Sequence, residues 1–145
     1  MFPSTTKKVN KVEEECAHIT FCGGVTSVTG ANFLFEIYKK DGKHRKVLVD
    51  CGMEQGTAKA KTYNASPFIF DPADIDILLV THAHMDHIGL IPKLVRHGFR
   101  GIIYSTPETR DLSVYMLDDC LKIITQEAEH EHKPALFEAE DVRRA

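Results

Sequence analysis

From Ala17 onward the chain alternates in the manner of a half-buried sheet. Ala17 to Phe21 is a short apolar run, and a loop of small residues, Cys22 to Gly30, follows it. Phe33, Phe35 and Ile37 then alternate with Leu34, Glu36 and Tyr38. A period of two sends successive side chains to opposite faces, so this stretch reads as a strand. Asp41-Gly42 marks a hairpin turn, of the two-residue kind whose central residues both take positive φ. Arg45 to Asp50, with Val47, Leu48 and Val49, returns as the partner strand.

Gly52 to Pro72 reads as loop with a short helix near Ala58–Tyr63, and Ile75 to Val80 is an apolar segment too short for a globular helix. The period then changes. Ile88, Ile91, Leu94 and Val95 recur at helical spacing in one helix that begins near Asp86 and stops at His97-Gly98, with the glycine past its end. Ile102 to Tyr104 is another short strand. Thr106 as N-cap and Pro107 in the first turn open a last long helix. It carries Leu112, Met116, Cys120 and Ile123/Ile124 on a stripe expected in the core. Gln126 to Ala145 is polar and helix-prone, interrupted at Pro134. A hairpin followed by strand, helix, strand and helix predicts an α/β layered fold: one mainly mixed sheet with flanking helices.

The 145 residues are 43% hydrophobic and 27% charged, with a net charge of −3. That is the balance of a globular domain, and a chain of this size can bury roughly 70% of the surface it exposes when unfolded. The mild acidity supplies no electrostatic footprint for nucleic acid. Residues 1–16 are polar and charged (Lys7, Lys8, Lys11, Glu13, Glu14, Glu15), which predicts a flexible arm ahead of a domain over 17–145. They hold no apolar signal region, and no run of about 18 apolar residues occurs anywhere, so no membrane association is expected. The four cysteines form no C-x-x-C pair. Free thiols in a cytoplasmic setting are the expectation, with Cys51 and Cys120 as small buried hydrophobes.

Chemistry concentrates in His82-x-His84-x-Asp86-His87, where an apolar strand ends and a helix begins. Residues two apart on extended backbone point the same way, so His82 and His84 converge on one point. The turn into the helix presents Asp86 and His87 from another direction, suited to a second ion. Imidazole with carboxylate suits zinc, manganese or iron, and the lack of thiolate argues against a closed structural zinc site. Asp50 ends its own apolar strand and is placed to orient a ligand histidine by accepting its other ring N–H. His44 and His97 read as structural or solvated, and His18 on the first strand is uninformative. His130-x-His132 sits in a polar acidic stretch with no buried strand leading into it, and is not expected to form a ligand pair.

This H-x-H-x-D-H run resembles the hallmark of the metallo-β-lactamase superfamily. The segments Gly23 to Asn32, Val47 to Gly56, Thr81 to Pro92, Gly98 to Pro107 with Thr109 and Leu112, and Lys133 to Val142 extend the resemblance over Ala17 to Val142. They are similar in particular to the β-CASP branch of RNA-processing nucleases, the group of RNase J and the cleavage-and-polyadenylation endonucleases. The resemblance implies an αββα four-layer fold of which this chain is the first half, an N-terminal portion with a sheet face left for a second sheet. It implies hydrolysis of RNA phosphodiesters by two metal ions that share an attacking hydroxide. His82 and His84 would bind the first ion, and Asp86 and His87 the second. Asp50 would orient, and Asp50 and Asp86 would be the carboxylates of the reaction. The implied cofactor is a pair of Zn2+ ions, with Mn2+ as the alternative. The implied partners are RNA, met through regions outside this chain, and a second copy in a homo-oligomer. The family completes its site with a further histidine, a bridging aspartate and a late histidine, yet no histidine follows His132. The chain on its own is therefore expected to be inactive or nearly so. A thioester or lactone hydrolase of the same superfamily and a non-catalytic metal- or partner-binding module are the competing expectations.

Overall fold

The computed structural model describes residues 14–145, so most of the N-terminal arm lies outside the described residues. Five strands form one sheet in chain order: β1 (Cys16–Gly23), β2 (Asn32–Tyr38), β3 (His44–Val49), β4 (Ile77–Leu79) and β5 (Ile102–Tyr104). The β1/β2 and β2/β3 pairs are antiparallel, and the β3/β4 and β4/β5 pairs are parallel. The sheet is thus mixed, with a meander at one side and two helix-bearing crossovers at the other. The helices are α1 (Ala60–Ala65), α2 (Met85–Ile88), α3 (Ile91–Arg96), α4 (Pro107–Glu131) and α5 (Ala139–Arg144). None of the described helices is long and apolar enough to cross a membrane.

The register explains which side carries the core. Leu34 pairs with Leu48, Leu48 with Leu78, and Leu78 with Ile103, so one row of aliphatic side chains crosses four strands on one face. Ile88, Leu94, Leu117, Ile124 and Phe137 from the helices and the C-terminal segment close over that row. Leu48, Leu78, Ile88, Leu94 and Phe137 are fully buried, and each such side chain contributes about 1.5–3 kcal/mol. The opposite face holds Ile19, Phe21, Leu79, Ile102 and Tyr104, which are 40–62% exposed. A sheet apolar on both faces reads as one built to be covered twice.

Several details depart from the sequence reading. First, the hairpin turn is longer than two residues. Gly42 takes φ 80° but Asp41 does not, and Gly42 N donates to Lys39 O. Asp41 instead uses its carboxylate to accept from Lys43 N, the local bond that makes Asp a turn residue.

Second, the single helix expected from Asp86 to His97 is two short ones. Pro92 lies in the first turn of α3 and supplies no N–H for the ladder, and Leu90 N donates across to Cys51 O. Third, Leu112 and Ile123 are each 53% exposed. The buried seam of α4 is Leu117, Cys120 and Ile124, with Met116 and Leu121 beside it.

Fourth, that helix runs through the polar stretch to Glu131. It ends where His132 turns left-handed (φ 52°) and Lys133 N donates back to Ala128 O. Phe137 then returns the chain to the core. β1 also starts at Cys16, one residue earlier than expected, and α1 lies two residues later.

Candidate metal centre

β4 delivers the chain to the site. After Val80, whose N–H donates to Tyr104 O, the chain bends at Ala83, is extended again at His84 and turns into α2 at Met85. This segment brings the rings of His82 and His84 together edge-to-face, with centroids 4.7 Å apart. The turn then folds His87 back until its ring lies 3.9 Å from that of His82. Asp86 Oδ2 stands 3.5 Å from His87 Nε2. All four sequence-assigned donors therefore share one surface patch at the carboxyl end of the sheet, where open α/β sheets gather ligands.

Asp50 lies beneath them, 2% exposed and directly after β3. Its Oδ1 accepts from Thr81 N at 2.9 Å, and its Oδ2 accepts from Thr81 Oγ1 and from His87 Nδ1, both at 2.8 Å. A carboxylate only accepts, so His87 must present Nδ1–H to it and keep the Nε2 lone pair free for an ion. Asp50 therefore reaches one of the four motif side chains directly, His87. Asp50 also has φ 58°, a conformation in which Asp is several-fold enriched over most side chains. That strain is held in place by its three donors and by its own N–H to Leu79 O.

The segment after Asp50 and Ala31, just ahead of β2, lace the motif to the sheet. Cys51 N donates to His87 O, Met53 N to Met85 O and Ala31 N to Asp86 O. Gly52 makes that approach possible. A Cβ on Gly52 would fall inside the Asp86 carbonyl and lie 2.7 Å from His87 N. Further back, the buried Lys93 donates from Nζ to Asn64 O (2.6 Å) and Ser66 O (2.5 Å) and sits over the Phe68 ring. Burial lowers its pKa. Asn64 in turn exchanges hydrogen bonds with the backbone of Glu54, so Lys93 anchors the loop that carries Met53.

Thr81 and Gly52 are the site residues that sequence reasoning passed over. A hydroxyl immediately before the histidine run, and a glycine two residues after Asp50, were the available signals. The remaining histidines have other surroundings. His44 stacks on Tyr38 with centroids 4.4 Å apart, and His18 lies against the same ring. His97 bonds to Lys93 O, and His130 and His132 sit at the exposed end of α4. Cys51 and Cys120 are buried and free, as their apolar settings suggested. Burial pushes the Cys120 thiol up to about 11 and the Cys51 thiol further in the same direction.

Imidazole and carboxylate suit a divalent ion of the zinc or manganese type. The ring of His82 lies between those of His84 and His87, with centroids 4.7 Å and 3.9 Å away. Among the described residues no three His, Cys, Asp or Glu side chains close on a single point. The donor set fits divalent ions in kind.

Comparison with known proteins points the same way. The sequence profile of the metallo-beta-lactamase superfamily matches residues 33–123. A ribonuclease of Thermus thermophilus, TTHA0252, is 49% identical over 82 residues, which is 57% of this chain and 19% of that protein. The transcription termination factor FttA of Methanosarcina mazei is 35% identical over 124 residues, 81% of this chain and 19% of the relative. The chain thus spans about a fifth of the length of these relatives. Among solved structures, the short form of human tRNase Z aligns with a TM-score of 0.40 at 19% identity, covering 85% of this chain and 43% of that one, too loose to carry weight.

Proposed function

Because the chain belongs to the metallo-beta-lactamase superfamily, we propose that it forms the first part of a metal-dependent ribonuclease of the β-CASP type. The observation that carries this reading is the patch of His82, His84, Asp86 and His87 above a buried Asp50 that fixes the ring of His87. The ribonuclease and the termination factor among the relatives support RNA over a small thioester or lactone. Four intact donors count against a degenerate, non-catalytic copy.

In this reading His82 and His84 hold one divalent ion, Asp86 and His87 hold a second, and Asp50 orients. Zn2+ is the expected metal, with Mn2+ as the alternative. The ions, when bound, activate the attacking water and neutralise charge that develops on the phosphodiester oxygens. This chain's residues supply ligands and their orientation. The remaining ligands, the surface that grips RNA and the layer that covers Ile19, Phe21, Ile102 and Tyr104 come from outside these 145 residues. A net charge of −3 fits that division, since the basic surface that RNA needs then lies elsewhere.

The test is to give the purified chain a labelled RNA and a matching DNA with added Zn2+ or Mn2+, and to measure bound metal in parallel. Metal bound without hydrolysis is the expected result. RNA hydrolysis abolished by His84→Ala would overturn the incomplete site, and the absence of bound metal at neutral pH would overturn the metal centre itself.

A further inference from the structure

Asp50 reaches His87 directly but makes no hydrogen bond to His82. The link between them is Thr81. Its Oγ1 lies 2.8 Å from Asp50 Oδ2, 3.0 Å from His82 Nδ1 and 3.3 Å from His87 Nδ1. A hydroxyl owns one proton and two lone pairs, and a carboxylate can only accept. The contact with Asp50 therefore consumes the Thr81 proton. What remains on Oγ1 is acceptor capacity, so the 3.0 Å contact with His82 is a hydrogen bond only if His82 Nδ1 carries the hydrogen. His87 Nδ1–H is already spent on Asp50 at 2.8 Å, which makes its longer contact with Thr81 secondary.

We propose that Thr81 is a positioning residue that extends the hold of Asp50 to His82, fixing that ring as the Nδ1–H tautomer with Nε2 free to bind a metal ion. One buried carboxylate then sets two histidines, His87 directly and His82 through the hydroxyl, and so prepares a ligand of each proposed ion. The backbone supports the arrangement. Thr81 N donates to Asp50 Oδ1, so the backbone of Thr81 is fixed against the same carboxylate that takes its hydroxyl proton. A neutral imidazole takes the tautomer that its hydrogen-bond partner dictates, and partners of this kind are worth about 10–100-fold in metal affinity. The consequence for metal rests on the ribonuclease reading, whereas the tautomer does not.

The experiment is long-range 1H–15N NMR of the metal-free 15N-labelled chain at about pH 8, where imidazoles are neutral, followed by zinc titration. In the wild type, His82 and His87 are expected as Nδ1–H tautomers. Thr81→Val keeps the shape and removes the hydroxyl. It should release His82 into a mixture of tautomers, leave His87 unchanged and weaken zinc binding by about 10–100-fold. Thr81→Ser should restore the tautomer and the affinity, a rescue that a purely structural role would not require. His82 found as the Nε2–H tautomer in the wild type would overturn the proposal, as would a T81V chain with unchanged His82 tautomer and zinc affinity. Should T81V fail to fold, the wild-type and T81S spectra still decide. A correct tautomer in a chain that binds no zinc would uphold the positioning role and refute the metal reading instead.

Discussion

Replacing Gly52 with alanine adds one methyl group where the structure has none to spare. The new Cβ would coincide with the carbonyl of Asp86 and stand 2.7 Å from His87 N. Both are backbone, so no side chain can rotate out of the way. Either the Asp50–Met53 segment or the start of α2 must move. Overpacking of this kind costs about 1–3 kcal/mol, occasionally more. The movement also strains the bonds from Cys51 N to His87 O and from Met53 N to Met85 O, each worth about 0.5–1.5 kcal/mol net. Together these give a loss of about 2–6 kcal/mol in urea unfolding. Zinc binding should fall with it, because the displaced backbone carries Asp86 and His87. Gly42→Ala is the matched control. Nothing lies within 4 Å of its Cβ, so only its positive φ is penalised, at about 1–2 kcal/mol, and zinc affinity should not change. A G52A chain as stable as G42A, with wild-type zinc affinity, would refute the claim that this close approach builds the site.

Three further outcomes follow. Asp50→Asn keeps the shape and tolerates φ 58°, but it removes the charge and offers His87 an amide. Stability should drop by about 1–3 kcal/mol and zinc affinity by about 10–100-fold, as read by unfolding and competition titration. Lys93→Met leaves Asn64 O and Ser66 O without their donor, which should cost about 1–3 kcal/mol and speed proteolytic cutting in the 53–70 loop. At about pH 8, Cys51 and Cys120 should resist alkylation until the chain unfolds, since burial raises both thiols. A thiol raised in the folded state gives stability that is complete below the unfolded value of about 8.5 and is lost as pH rises above it. Urea midpoints should therefore fall between neutral pH and pH 10, and less so in a Cys120→Ala chain.

The strand pattern and the metal motif were legible because both are local. Alternation in Phe33–Tyr38 sets the register, and the i, i+2 spacing of His82 and His84 keeps their rings within one short stretch of chain. The helix break at Leu90 was half visible in Pro92. What remained hidden was the partner waiting 39 residues away, the Cys51 carbonyl that takes the Leu90 N–H. Thr81 and Gly52 were missed for the same reason. Their importance lies in contacts with Asp50 and Asp86, 31 and 34 residues distant, and neither residue type announces such a contact by itself. On α4, periodicity found a stripe but could not say that the seam runs through Leu117 in place of Leu112, because the elements packed against the helix, α2 and α5, decide that.

Zinc K-edge X-ray absorption on the loaded chain, alongside a chain with His82 and His84 both changed to alanine, bears most directly on the metal centre. With a site built from His82, His84, Asp86 and His87, the first shell contains nitrogen and oxygen at about 2.0–2.2 Å with imidazole scattering beyond it, and the double variant keeps only the share of that imidazole signal that His87 supplies. A sulfur shell at about 2.3 Å, or a spectrum that the double variant leaves unchanged, would place the ion elsewhere and contradict the account.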